Sequence, residues 1–201
     1  VLEIASNDGY MLQFFKEKKI PVLGVEPAVN ISKIANERGI PTITKFFGSV
    51  VAEEISQEKE KQDLVIAFNV LPHTPNPRDF ILGLKKITKN EGIIVLQFSA
   101  YLPTLISNRE FDTVYHEHIN FFNVKSMDQL TKRAGLKLHN VDKKPIHGIS
   151  YLFVIKLNSK AKKIKKIIKK ESYLNYAYYK KWGNNCSLIV KKIQKKIEII
   201  K

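Results

Sequence analysis

Short apolar runs alternate with helical patterns from Val1 to Phe98, and few folds accommodate that rhythm. VLEIA (1–5) reads as a strand, and Gly9 to Lys19 as a helix with Met11, Leu12, Phe14 and Phe15 on its apolar side. PVLGVE (21–26) is a second strand, 29–38 a second helix closed by Gly39, and PTIT (41–44) a third strand. A helix over 49–58, the apolar strand DLVIAF (63–68), the turn-rich PHTPNP (72–77), a helix over 79–88 and the strand GIIVLQF (92–98) complete the series. Strands separated by helix-length connections lie parallel, because the chain must cross back before each new strand begins.

After Phe98 the rhythm changes. A long connection over 99–123 leads to a helix (126–134) ended by Gly135, then to strands at 136–142 and 150–157 joined through KKPIHGIS. Two strands joined so closely suit an antiparallel finish. The expected fold is therefore α/β: a doubly wound, mostly parallel seven-stranded sheet over 1–157. A Lys-rich helical connector over 158–201 follows, with a break expected near Trp182-Gly183-Asn184.

Composition excludes several classes. With 44% hydrophobic residues the chain is not disordered. Its single cysteine, Cys186, rules out an internal disulfide or a Cys-rich zinc site in this segment. No apolar run reaches the roughly 20 residues needed to span a bilayer, and the expected place is the cytoplasm. The first residue is not Met and lies inside a strand-like run, so the chain reads as a piece of a longer protein.

The net charge of +15 is concentrated at one end: residues 156–201 hold 15 Lys against Glu171 and Glu198. In KAKKIKKIIKK (160–170), Ile164, Ile167 and Ile168 recur at helical spacing among lysines. Such a helix can lie on an anionic membrane, bind nucleic acid or a nucleotide-sugar phosphate, or pack its stripe on another domain. Packing is the preferred reading, and nucleic acid is not an expected partner.

In a doubly wound sheet, ligands bind beyond the carboxyl ends of the strands where strand order reverses. The first strand ends there in Ser6-Asn7-Asp8-Gly9, with Asp8 also placed to cap the following helix. The second strand ends in Glu26-Pro27, seventeen residues after Gly9, near the spacing of a ribose-binding acid. The G-x-G-x-x-G that seats a dinucleotide pyrophosphate is absent. S-adenosylmethionine, which has no phosphate, suits Asp8 and Glu26 better. The plain alternative is a helix cap and a solvated strand end.

VLEIASNDGYML, GVEP, KFFG, FNVLPHTPN and FDTVYHEH, in this order, resemble the bacterial sugar C-methyltransferases over roughly residues 1–155. These are class I S-adenosylmethionine-dependent enzymes that methylate a ketosugar carbon of nucleotide-linked deoxysugars. The resemblance implies a cofactor site of Ser6, Asn7, Asp8, Gly9, Glu26, Pro27, Phe47, Asn69 and Val70. Phe47 would lie near the adenine, although core packing accounts for Phe46 and Phe47 equally well. It also implies a nucleotide-sugar substrate, a small Cys-rich zinc module before this segment and a further domain after it.

Carbon methylation beside a ketone needs a base for the adjacent proton, a donor for the carbonyl oxygen and an orienting group. Tyr115-His116-Glu117-His118 supplies these types, and histidine titrates near neutral pH. The resemblance puts the base role on His118, with Tyr115 donating to substrate and Glu117 orienting. His73, at the end of the fourth strand, is the remaining catalytic candidate. A zinc site is not expected, because in an extended segment His116 and His118 share a face and Glu117 turns away. Rival functions are methyl transfer to oxygen or nitrogen, and an inactive interaction module using the basic tail. The chain departs from the family pattern at Gln97-Phe98-Ser99, where E-F-P is usual, and at His147-Gly148-Ile149-Ser150, where H-G-G-S is usual. Arg78, Arg109, Lys143 and Lys144 are candidate diphosphate contacts.

Overall fold

A computed structural model describes residues 1–99, 101–146, 149–159 and 162–200. Among these the strands are β1 (Leu2–Ile4), β2 (Leu23–Val25), β3 (Thr42–Ile43), β4 (Gln62–Phe68), β5 (Thr88–Phe98), β6 (Lys137–Lys144) and β7 (Ser150–Lys156). They form one seven-stranded sheet in the order β3-β2-β1-β4-β5-β7-β6. β1 to β5 run parallel, and β7 lies antiparallel between β5 and β6. The expected doubly wound fold is the observed one. Strand order reverses between β1 and β4, which places the switch point beyond Ile4 and Phe68.

The helices are α1 (Leu12–Glu17), α2 (Val29–Glu37), α3 (Ser49–Glu58), α4 (Pro77–Ile87), α5 (Leu102–Asn108), α6 (Val124–Arg133), α7 (Lys162–Lys170) and α8 (Tyr176–Ile200). Their ends have local causes. Asn76 accepts from the Asp79 N–H ahead of Pro77 to start α4, and Asn123 and Ser126 form a reciprocal capping box at α6. Gly39 and Gly135 take φ of 71° and 74° just beyond α2 and α6, a conformation that costs side-chain-bearing residues more.

Strand alternation decides the core. Leu2 and Ile4, Val65 and Ala67, Ile94 and Leu96, and Phe153 and Ile155 are buried on one face, against Ala52, Ile55, Phe80, Leu84 and Met127 of the helices. Each large side chain so buried stabilises the fold by about 1.5–3 kcal/mol.

The opposite face of β1 holds an acid. Glu3 is buried, its Oε2 has no hydrogen-bond partner, and burial pushes its carboxyl up to about 8. Between the ordinary carboxylate range and that value, the folded chain holds a proton that the unfolded chain releases. Stability therefore falls as pH rises through the window. Glu3→Gln is expected to remove on the order of 1–3 kcal/mol of this loss, read as the change in urea midpoint between about pH 5 and about pH 8. Equal pH dependence in variant and wild type would refute the assignment.

Three expectations change. The 99–123 connection contains α5 and a short 3-10 turn at Phe111–Thr113, since Tyr101-Leu102-Pro103 begins a helix once Thr104 bonds back to Tyr101. α8 runs unbroken through Trp182-Gly183-Asn184; a glycine inside a helix costs only about 1 kcal/mol relative to alanine. The interruption lies instead between Lys170 and Tyr176, where Asn175 caps α8 by accepting from the Tyr178 N–H. The α7 stripe faces inward: Ile164 is 3% exposed, and Ile167 and Ile168 pack on the same core. Residues His147 and Gly148 lie outside the described residues. No described helix is long and apolar enough to cross a membrane.

Candidate active site

The loop after β1 turns through alternating left-handed residues: Ala5, Asn7 and Gly9 have φ of 54°, 53° and 82°. Asparagine tolerates this conformation, alanine less well, and glycine freely. A Cβ on Gly9 would lie 2.3 Å from Ile40 Cδ1, so the close approach of the α2–β3 connection also requires glycine. The Ala5 and Ser6 N–H groups both donate to Val25 O, tying the loop to the end of β2.

Glu26, nearly buried at that strand end, holds the loop from the other side. Its Oε2 accepts from the Asn7 N–H at 3.1 Å and its Oε1 from the Ala28 N–H at 2.9 Å. Each carboxylate oxygen keeps a further lone pair. Glu26 is thus first a structural clasp between two loops, a role its spacing alone did not suggest.

The other cofactor candidates separate. Ala5, Pro27, Phe47, Val70, His73 and Phe80 line a cleft of about 450 Å³ at the switch point. Phe47 both lines it and meets Phe80 edge-on, with ring centroids 5.4 Å apart. Phe46 is 84% exposed, so core packing does not account for it. Asn69 has φ of 56° and donates its N–H to Gln97 O at 2.7 Å. Ser6 is turned against the sheet: its buried Oγ lies where a Cβ on Gly24 would clash, and has no partner.

Asp8 does not cap α1. The chain makes a further turn before Leu12, Met11 takes the cap position, and Asp8 pairs with Arg38 just beyond α2. It lines a different hollow with Gly9 and Arg38. Arg109 lines a third, with Trp182 on α8, which shares no residue with the cleft.

The segment 113–120 docks on the loop after β4. Asn120 donates its N–H to Pro72 O at 3.0 Å and its side-chain amide to Thr74 O at 2.7 Å. His73 Nδ1 lies 3.0 Å from Glu117 O, and His118 Nδ1 lies 2.9 Å from Thr113 O. A carbonyl only accepts, so each Nδ1 is a donor, and in the neutral ring Nε2 is the nitrogen with the free lone pair. Tyr115 OH is 3.4 Å from His118 Nε2. The His118 ring lies 4.4 Å from the Tyr115 ring and 4.8 Å from that of His73. Three predicted residues, from two distant parts of the sequence, therefore share one site.

Glu117 and His116 do not join it. Residues 115–118 form a turn, closed by the His118 N–H on Tyr115 O, so His116 and His118 do not share a face as an extended segment would require. The Glu117 carboxylate is largely exposed and lies 3.8 Å from His116. It is the Glu117 carbonyl that orients, and it orients His73. Asn120 and Thr113 were not legible as site residues, since their roles run through contacts with carbonyls and a ring that no spacing displays. Among the described residues no group of three or more His, Cys, Asp or Glu side chains is placed to hold a metal ion.

A parallel sheet with an antiparallel end, reversing at a loop clasped by an acid, defines a Rossmann-like methyltransferase fold. A family model described as a methyltransferase domain matches residues 1–141, and the chain belongs to that family. It is 32% identical over 148 residues to the C-methyltransferase NovU of Streptomyces niveus, covering 74% of this chain and 35% of that protein. It is 23% identical over 149 residues to a ubiquinone biosynthesis O-methyltransferase of Hydrogenovibrio crunogenus, covering 69% and 62%. The chain thus spans less than two thirds of either curated relative. Its fold matches that of magnesium protoporphyrin IX methyltransferase from Synechocystis PCC 6803 with bound SAH, with a TM-score of 0.56 and 12% identity over 77% of this chain and 71% of that one.

Proposed function

We propose that the chain is the central domain of an S-adenosylmethionine-dependent C-methyltransferase acting on a nucleotide-linked 4-ketosugar. The observation that carries the reading is the cluster of His73, Tyr115 and His118, with His73 also lining the cleft at the switch point. The residues present fit the cofactor. Val25, Pro27, Phe47 and Phe80 offer an apolar wall for a purine, and the spare lone pairs of Glu26 suit a ribose diol. S-adenosylmethionine supplies an electrophilic methyl group when bound.

His118 Nε2, with its tautomer set by Thr113 O, accepts the proton from the carbon beside the ketone. Tyr115 donates its O–H to the ketone oxygen, so the negative charge of the developing enolate is met by a positioned donor. His118 would retain the proton while the enolate carbon is held for the methyl group that bound S-adenosylmethionine would supply. His73, oriented by Glu117 O, offers a second Nε2 toward the acceptor.

C-methylation is supported by the NovU relationship and by the base–donor pair. Transfer to oxygen is the second reading, favoured by the relatedness to ubiquinone O-methyltransferases. Loss of deuterium from the carbon beside the ketone of a labelled ketosugar separates the two. The cofactor is tested by calorimetric titration with S-adenosylhomocysteine, with NAD as control. Micromolar affinity, about −8 kcal/mol, is expected for the former and none for the latter. A folded chain that binds neither would overturn the proposal.

A further inference from the structure

The residue just after α7 reaches back to the loop that carries Tyr115 and His118. Glu171 is 9% exposed, and its carboxylate takes two donors. Oε1 accepts from Tyr101 OH, and Oε2 accepts from the Val124 N–H at 2.9 Å. Tyr101 is the residue before α5 and Val124 the first residue of α6, so the two donors stand at the two ends of the loop. Those ends are already drawn together. Tyr101 and Phe122 form a parallel bridge, and the Leu102 N–H donates to Phe122 O at 2.8 Å. The Tyr101 ring lies on that of Tyr151 in β7, with centroids 3.6 Å apart. Farther out, the loop is held by bonds at exposed or half-buried groups, those of His73 to Glu117 O and of Asn120 to Pro72 and Thr74.

We propose that Glu171 is a positioning residue for this site: by accepting from Tyr101 and Val124 it sets the closure of the loop neck, and through it the placement of His118 beside His73 and Tyr115. The inference rests on reading His118 as the base. A buried carboxylate accepting two hydrogen bonds is stronger than two neutral contacts, and it acts on both ends of the loop at once. The Lys-rich extension thereby takes part in the site through its single buried acid among the described residues.

The test uses the full chain with Glu171→Gln and Tyr101→Phe. The first leaves an amide that accepts from only one of the two donors, and the second keeps the ring on Tyr151. Amide hydrogen exchange and the pH titration of the His118 ring signal are followed by NMR. In both variants the His118 and Asn120 amides are expected to exchange at least about tenfold faster, while Val65 and Ile66 in β4 keep their rates. The His118 titration midpoint is expected to shift. Unchanged loop exchange with an unchanged midpoint overturns the proposal. So does an acceleration of the β4 amides in the same proportion, which would mark a purely structural role. These readouts need neither cofactor nor acceptor, so their failure is distinct from a failure to bind S-adenosylhomocysteine.

Discussion

His118→Ala is expected to lower the rate of methyl transfer about 10²–10⁴-fold, the usual contribution of a positioned general base. Affinity for S-adenosylhomocysteine should stay within about threefold, because His118 is not among the residues that line the cleft at the switch point. Deuterium wash-out from the carbon beside the ketone should fall in parallel with turnover, since both begin with the same proton transfer. Tyr115→Phe should slow turnover less, because it removes the donor to the ketone oxygen and leaves the base in place. The decisive comparison is single-turnover transfer in the complete protein. If His118→Ala transfers methyl at the wild-type rate, the base lies elsewhere, and His73 Nε2 is the next group to test.

Glu26→Ala is expected to weaken S-adenosylhomocysteine binding at least about 100-fold and to lower stability by about 2–4 kcal/mol. Two causes add. The backbone N–H groups of Asn7 and Ala28 lose a charged acceptor in part-buried bonds, and a hydrogen bond to a charged group is worth about 1.5–3 kcal/mol. Freed from Glu26, the loop also loses one restraint on its left-handed residues Ala5 and Asn7, whose conformation persists only while its surroundings over-determine it. Glu26→Gln should fall between alanine and wild type, because its amide oxygen can still accept from one of the two. Calorimetry measures the affinity and urea titration the stability. Wild-type affinity in a destabilised Glu26→Ala would show that the acid clasps the loop without touching the ligand.

The two halves of the site were legible to different degrees, for different reasons. The cofactor half follows from periodicity. Short apolar strands, each followed by a helix, force a parallel sheet, and a parallel sheet has one edge where loops meet. Phe47 and Val70 were assigned through the family resemblance, while Gly9 and Glu26 were placeable from position alone. Asp8 was not, because its carboxylate is drawn away by Arg38, thirty residues on, and no local pattern announces that partner. Glu117 failed for a related reason: its side chain suggested chemistry, while the turn at 115–118 exposes the carboxylate and leaves only the carbonyl facing inward.

The sequence by itself determined the order of the elements, the parallel core and the edge of the sheet where ligands bind. Burial of alternating side chains leaves a chain of this pattern few other solutions. It also displayed the residue types that the chemistry needs. Tertiary structure alone decided which of those residues meet. The contact of His118 with His73, the bond of His73 to Glu117 O, and the reach of Glu171 to Tyr101 and Val124 all join segments far apart in the chain. A hydrogen bond is a matter of a few ångströms and an angle, and sequence spacing carries neither across a folded loop.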